Sequence, residues 1–165
     1  MNKQINRYKE FADKIEAEYN QKAENIFLLQ GDVFTVSKEL FDKKQNIVFS
    51  FKVSRPAYDS YHYTNYIYLP VNDEKIKTLH IKKTLISKIL PIKSSYNLID
   101  KSNAYGLSII DLIEKHKIEV LEEIFYPKDS EFDNEIDIKC ASKFLDIPEL
   151  ISLYNFVIDL SDILS

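Results

Sequence analysis

The middle of the chain carries a group of polar side chains that could perform acid-base chemistry without a metal. The group comprises Arg55, His62, Asp73, Lys75 and His80. Histidine titrates near neutral pH, and arginine and lysine bind phosphate oxygens. Cleavage of RNA by internal attack of the ribose 2'-hydroxyl needs a base, an acid for the leaving oxygen and cations on the phosphate. Taken singly, each residue also has an ordinary structural explanation, because a histidine on a strand is more often a packed or surface residue.

Five of the eleven tyrosines of the chain fall within residues 58–68. Aromatic rings beside cations can stack on nucleobases or contact a protein partner. Because side chains alternate between the two faces of a strand, Tyr61 and Tyr63 belong to one set, whereas Tyr66 and Tyr68 belong to another and are predicted to face away from the core. The candidate residues for binding RNA or a partner are Tyr61, His62, Tyr63, Tyr66, Tyr68 and Asp73.

The composition argues against several kinds of site. With Gly31 and Gly106 as its two glycines, the chain lacks the glycine-rich loops that hold dinucleotides and nucleotide phosphates. Its three histidines and one cysteine do not have the spacing of zinc ligands. The acidic string over residues 129–137 would place Asn134 and Cys140 where a calcium loop needs glycine and glutamate, so it is predicted to be a solvated loop. We expect neither a metal nor a cofactor.

Charge is unevenly distributed along the chain, whose net charge is -4. Residues 26–106 contain 12 basic and 7 acidic residues, whereas residues 107–165 contain 5 basic and 14 acidic residues. The first segment therefore favours an anionic ligand, and the second favours a cationic ligand or none. The single cysteine, Cys140, and the absence of an uncharged apolar run of about 18 residues predict a soluble, cytoplasmic protein without a membrane partner.

The hydrophobic pattern predicts a single domain, residues 1–165, that begins with a helix and continues with strands. Apolar residues recur at spacings of three and four over residues 1–25 and predict an N-terminal helix. Residues 26–105 form a β-rich basic part, in which Gln30-Gly31-Asp32 is interpreted as a turn or bulge. The strands predicted in this part cover residues 26–29, 33–36, 46–54, 66–71, 78–82 and 85–92, and a helix is the alternative over residues 82–90.

Residues 106–165 form an acidic part with a helical pattern, and its first helix is predicted to end before Pro127. Asp146, Pro148 and Glu149 have the types and spacing of a helix N-terminus with a capping box, which predicts a terminal helix. The order of elements predicts an α+β fold. It consists of a small curled antiparallel sheet, which would be an SH3-like barrel if it closes, with an N-terminal helix and two C-terminal helices.

Three short stretches in the β-rich part resemble landmarks of the small-barrel RNase toxins of the PemK/MazF kind. They are Gly31-Asp32-Val33-Phe34, Arg55-Pro56 and Leu69-Pro70-Val71. The stretch from Pro70 to Lys75, with His80 beyond it, is similar to a motif of the related ToxN toxins of abortive phage infection. The resemblance implies an SH3-like barrel in which Arg55 and Lys75 bind or polarise a phosphate. It also implies that His80 acts as an acid or a base.

Two functions are therefore expected, and they belong to different classes. The first is a toxin-like, metal-independent RNA-binding protein or endoribonuclease, which the resemblance favours. The second is a non-enzymatic protein-interaction module, such as an immunity, antitoxin or inhibitor protein, which would use its acidic C-terminal part or the tyrosine strand. The acidic total charge and the lack of a complete catalytic motif favour the second. The expected partner is RNA in the first case and a cognate protein in the second.

Overall fold

The computed structural model describes residues 2–26, 29–43, 45–54, 61–71, 74–84, 96–127 and 135–164. Within these residues the chain has an α+β fold with three α-helices and an eight-stranded antiparallel sheet. The helices are α1 (Asn2–Lys14), α2 (Gly106–His116) and α3 (Ile147–Ile163). The strands are β1 (Glu18–Ile26), β2 (Leu29–Leu40), β3 (Gln45–Ser54), β4 (His62–Pro70), β5 (His80–Lys83), β6 (Tyr96–Leu98), β7 (Leu121–Phe125) and β8 (Glu135–Cys140).

The strands are ordered β1-β2-β3-β4-β8-β7-β5-β6 across the sheet. Strands β1 to β4 form a meander, in which each strand pairs with the next along the chain. Strand β8 pairs with β4 on one side and with β7 on the other, and so it joins the meander to the group of β5, β6 and β7. The described sheet is not closed, since β1 and β6 are its edges, and an SH3-like barrel is not confirmed.

The helices cover one face of the sheet and form the core with it. Along β3 the apolar residues at alternate positions are buried, which confirms the strand predicted over residues 46–54; they are Ile47, Phe49, Phe51 and Val53. From α1, the ring of Phe11 meets Phe49 edge-on at 5.3 Å between centroids, and the ring of Tyr8 stacks on Phe51 at 4.3 Å. We call this side of the sheet the helix-covered face.

The N-terminal helix predicted over residues 1–25 is too long, because α1 ends at Lys14 and β1 begins at Glu18. Glu16 has a φ of 52°, a left-handed conformation that reverses the chain. The apolar spacing misled the prediction because Tyr19 and Ala23 are four residues apart. Such a pair lies on one face of a helix and also on one face of a strand, since four is a multiple of the strand period of two.

The turn or bulge predicted at Gln30-Gly31-Asp32 is also wrong. Strand β2 runs through these residues, and the chain reverses between Ile26 and Leu29, which are paired. Gly31 has a different role, because a Cβ at this position would come within 3.0 Å of the carbonyl oxygen of Val53 on β3. Its lack of a side chain allows the two strands to approach closely.

The acidic part contains two strands where a helix and a loop are predicted. Helix α2 ends at His116, with Lys117 in the left-handed conformation at its C-cap, and β7 follows at Leu121. Of the acidic string, Glu135 and Asp137 lie on β8, and the positions before residue 135 lie outside the described residues. The buried residues of β8 are Ile136, Ile138 and Cys140, so the alternation of carboxylates is that of a half-buried strand.

Other predicted elements have their expected places. Strand β4 ends at Pro70, and β5 covers most of the predicted strand over residues 78–82, whereas the prediction for residues 85–92 lies outside the described residues. The capping box of α3 is formed, since the Asp146 carboxylate accepts from the Glu149 amide at 2.9 Å and the Glu149 carboxylate accepts from the Asp146 amide at 2.8 Å. Among the described helices, none has the length and apolarity needed to cross a membrane.

Candidate functional site

The second face of the sheet carries polar and aromatic side chains in two rows that cross four strands. We call it the outer face and define it by Tyr66, Tyr68, His80, Lys82, Glu123, Phe125, Asp137 and Lys139. In the first row, Tyr68 of β4 lies opposite Asp137 of β8, Asp137 lies opposite Phe125 of β7, and Phe125 lies opposite His80 of β5. The second row continues in the same way and consists of Tyr66, Lys139, Glu123 and Lys82.

The aromatic residues of the outer face lie away from the core. Tyr66, Tyr68 and Phe125 are half-buried, but none of them packs against the core cluster of the described residues. The rings of Tyr66 and Tyr68 stack on each other, with centroids 6.1 Å apart and planes 9° apart. The two rings lie side by side on the outer face of β4, which is the side that the alternation predicts for them.

The other predicted tyrosines lie on the opposite side. Tyr61 and Tyr63 pack against the core from the helix-covered face, and the Tyr63 ring lies 6.0 Å from that of Phe144. His62 is exposed at the start of β4 and shares the parity of Tyr66 and Tyr68. The described part of the tyrosine run therefore does not form one surface, since Tyr66 and Tyr68 belong to the outer face and Tyr61 and Tyr63 do not.

A cleft of about 910 Å³ opens where the outer face meets the ends of β5, β7 and β8. Its charged lining comprises Lys77, His80, Asp100, Glu123, Glu135 and Asp137, and its aromatic lining includes Phe125 and Tyr126. Four carboxylates thus accompany one lysine and one histidine. Such a balance attracts a cationic ligand and repels the phosphates of a nucleic acid.

Asp137 is the most perturbed carboxyl group of the cleft. Its Oδ1 atom is buried and has no hydrogen-bond partner among the described residues. Burial, with a further contribution from the negative charge of Glu135, raises the pKa of Asp137 from 3.8 to about 6. Burial and the neighbouring Asp137 also raise the pKa of Tyr68 to about 12, so its phenol remains neutral at physiological pH. The cleft therefore holds a carboxylate whose charge is incompletely compensated.

His80 lies at the end of the first row and is paired with a carboxylate. Its Nε2 atom is 2.7 Å from Glu123 Oε1, and Lys82 Nζ is 3.5 Å from the same oxygen. Burial alone would raise the pKa of Glu123, but the His80 hydrogen bond and the positive charges of Lys82 and His80 lower it overall. Glu123 thus fixes the orientation of the His80 ring, an arrangement that general acid-base sites also use.

The structure brings together some of the predicted site residues. His80, Tyr66 and Tyr68 share the outer face, whereas Tyr61 and Tyr63 do not. The backbone of Lys75 lies in the 3-10 helix Glu74–Thr78, directly before β5. Arg55 and Asp73 lie outside the described residues. The predicted catalytic group of Arg55, Lys75 and His80 therefore stays a prediction.

Sequence reasoning missed Glu123, Phe125 and Asp137, which lie in the two rows between β4 and β5. They fall in segments predicted as a helix and a loop, where no pairing with β4 or β5 is expected. The pattern of residues 135–140 contained the missing signal, because apolar and polar residues alternate there without interruption. Once β8 is recognised as a strand, Asp137 shares a face with Glu135 and Lys139.

Comparison of the chain with protein-family models, with curated proteins and with solved structures finds no match. Among the residues described, no group of three or more histidine, cysteine, aspartate or glutamate side chains is placed to hold a metal ion.

Proposed function

We propose that this chain is a protein-interaction module whose outer face binds a basic segment of a partner protein. One observation supports the proposal above the others: Tyr68, Asp137, Phe125 and His80 stand opposite one another in a single row beside an acidic cleft. Aromatic residues contribute most to binding at protein interfaces, and carboxylates beside them select a positively charged partner.

The charge of the cleft distinguishes this function from RNA binding. A site for RNA needs cations along the backbone path, because neutralisation of phosphates supplies most of the affinity. The described lining instead places Asp100, Glu123, Glu135 and Asp137 around the opening. An immunity, antitoxin or inhibitor protein that covers a basic surface of its target needs acidic residues at its binding site. The lining of the cleft provides them.

The proposal can be tested by selection from a library of random 12-residue peptides displayed on phage, with the purified chain as bait. We expect the selected peptides to be enriched in lysine and arginine and to bind with dissociation constants in about the micromolar range, as short segments commonly do. The variant Tyr66→Thr/Tyr68→Thr should weaken the binding of synthetic copies at least about tenfold, because threonine keeps the preference for a strand and removes both rings.

Asn20→Thr provides a matched control. Asn20 is exposed on β1 and lies in line with Tyr66 across the sheet, through Thr35 and Ser50, but three strands away from it. This change should leave peptide binding unchanged. Selected peptides without an excess of basic residues, or equal binding by the tyrosine variant and the control, would refute the proposal.

RNA cleavage is the second candidate function, and the His80–Glu123 hydrogen bond near Asp137 favours it. An imidazole oriented by a carboxylate can act as a base, and a carboxyl group that titrates near pH 6 can donate a proton to a leaving oxygen. The test is incubation of end-labelled RNA with the wild type and with His80→Ala. Cleavage that His80→Ala abolishes would support this function, whereas intact RNA in both reactions would exclude it.

A further inference from the structure

We infer that Tyr68, Asp137 and Phe125 form a slot that accepts one arginine guanidinium of the partner. This inference rests on the proposed function and names the group that the outer face recognises. The three residues are paired across β4, β8 and β7, so Asp137 lies between the two aromatic residues in the row. A planar cation with its edge on a carboxylate and its faces against aromatic rings uses each of these contacts.

The spacing of the strands suits a single planar group. Neighbouring strands lie about 4.8 Å apart, so Tyr68 and Phe125 are separated by about 10 Å across β8. A flat group stacked between two rings needs about 7–8 Å, which is two contacts of 3.5–4.0 Å. The separation of the two strands is therefore compatible with one guanidinium between the two aromatic side chains.

The carboxylate of the slot lacks a cation from within the described chain. No described lysine, arginine or histidine forms an ion pair with Asp137, and its buried Oδ1 has no hydrogen-bond partner among the described residues. Lys139, the nearest cation along β8, lies in the neighbouring row, opposite Tyr66 and Glu123. A buried acceptor without a donor destabilises the protein unless a ligand supplies one. A guanidinium that contacts the Asp137 carboxylate would bring N-H donors and a positive charge to it.

A guanidinium fits the slot better than an ammonium group does. An arginine side chain presents two parallel N-H donors to one carboxylate and stacks its flat surface on rings, whereas a lysine presents a compact, strongly hydrated charge. Tyr68, whose ring also stacks on Tyr66, and Phe125 flank Asp137 on neighbouring strands, are half-buried and do not pack against the core, so both rings lie on the outer face where a flat cation can contact them. The slot should therefore prefer arginine to lysine.

The test is a titration of the ¹⁵N-labelled full chain with N-acetyl-arginine amide, followed by NMR. N-acetyl-citrulline amide, which replaces the guanidinium by a neutral urea of the same shape, is the matched control ligand. We expect the arginine compound to shift the amide signals of residues 68, 125 and 137. The citrulline compound should bind at least about tenfold more weakly, because a charge-assisted hydrogen bond is lost. The affinity of the lysine analogue, N-acetyl-lysine amide, should lie between those of the arginine and citrulline compounds.

Two variants test the residues of the slot. Asp137→Asn should weaken binding of the arginine compound about tenfold or more, and Phe125→Leu about threefold, because it removes one stacking surface and keeps an apolar residue. Asp13→Asn removes an exposed charge on α1 and should change nothing. Equal responses to the arginine and citrulline compounds, or wild-type affinity in both slot variants, would overturn the inference.

A failure of the slot can be distinguished from a failure of the proposed function. If the arginine compound fails to bind at the slot while the selected basic peptides still bind the outer face, the slot is wrong and the interaction module stands. If the arginine compound binds at residues 68, 125 and 137 but no peptide depends on Tyr66 and Tyr68, the slot stands and its place in a protein interface is wrong.

Discussion

His80 Nε2 and Glu123 Oε1 lie 2.7 Å apart, and this contact connects β5 to β7. Because the contact and the charge of Lys82 lower the pKa of Glu123 overall, despite the opposing effect of burial, the folded state is stabilised by the ionised carboxylate. That contribution is complete above the usual glutamate pKa of 4.5 and is lost as the pH falls through the lowered pKa.

We predict that Glu123→Gln reduces the free energy of unfolding at pH 7 by up to about 1 kcal/mol and that the difference disappears near pH 3. Urea unfolding of the wild type and the variant at both pH values measures the effect. Glu114→Gln, on the exposed side of α2, is the control and should change stability by less than about 0.5 kcal/mol at either pH. A loss of equal size at both pH values would show that the charge of Glu123 is not responsible.

Asp137 should show the opposite dependence on pH. Its pKa is raised to about 6 by burial and by Glu135, so the folded state holds the proton more tightly than the unfolded state does. Stability therefore decreases as the pH rises from the usual aspartate pKa of 3.8 to about 6, and it is constant above that. The groups beside Asp137 on the outer face are Tyr68 on β4, Glu135 and Lys139 on its own strand and Phe125 on β7.

We predict that Asp137→Asn raises the free energy of unfolding at pH 7.5 by about 1 kcal/mol, a value reduced for the partial exposure of the group. The gain should be absent near pH 3.5, where both proteins carry a neutral side chain. Urea unfolding across this pH range measures it. A variant that is less stable than the wild type at pH 7.5 would mean that the carboxylate is compensated in the folded state.

The two buried hydroxyl groups of Tyr8 and Tyr96 give a matched pair of tests. The Tyr8 hydroxyl has no partner among the described residues, whereas that of Tyr96 donates to the carbonyl oxygens of Leu121 at 2.8 Å and Ile118 at 3.1 Å. A buried polar group without a partner destabilises the folded state, and one with partners stabilises it. Tyr8→Phe should therefore raise the free energy of unfolding by about 1 kcal/mol, and Tyr96→Phe should lower it by about 1–2 kcal/mol.

Thermal unfolding measures both effects, since about 1 kcal/mol shifts Tm by about 2–4 °C in a domain of this size. The ring of Tyr8 stacks on Phe51, and both variants keep their rings, so loss of packing does not enter the comparison. Equal losses in the two variants would mean that the Tyr8 hydroxyl has a partner in solution.

Asn65 connects β4 to the segment that follows β8. Its buried Nδ2 atom donates to the carbonyl oxygens of Ala141 at 2.7 Å and Lys143 at 2.8 Å. Asn65→Ala leaves both acceptors without their donor and should lower the free energy of unfolding by about 2–3 kcal/mol. Chemical denaturation measures this loss, and exposed Asn20→Ala should cost less than about 0.5 kcal/mol. A loss as small as that of the control would contradict the role of these two hydrogen bonds.

The local pattern of the sequence predicts the elements whose periodicity has one interpretation. Strand β3 is such a case, because its four buried apolar residues occupy alternate positions, and the capping box of α3 is another. Where two periods coincide, the prediction fails, as it does at Tyr19 and Ala23. The prediction for the acidic part fails for a different reason. The acidic residues of β8 suggest a solvated loop, although the apolar residues between them alternate as in a strand.

The candidate site was harder to predict than the fold, because it depends on pairing between distant strands. His80 and Tyr68 are recognisable from their types, but Phe125 lies between His80 and Asp137 solely because β7 is inserted between β5 and β8. A hydrophobic pattern indicates which face a side chain takes and leaves the neighbouring strand undetermined. The acidic lining of the cleft follows from that strand order. It favours a cationic ligand, whereas the basic middle of the chain predicts an anionic one.

The central position of β8 has a consequence for the order in which the protein assembles. Strands β1 to β4 can form their hairpins from neighbouring segments, but β4 acquires its second partner only from residues 135–140. During synthesis, the edge of β4 that pairs with β8 therefore stays unpaired until residues 135–140 have left the ribosome. Pairing over such a separation is slow, and we expect folding in milliseconds to seconds rather than microseconds. Until then, this unpaired edge of β4 is the site at which the nascent chain most readily pairs with a strand of another molecule.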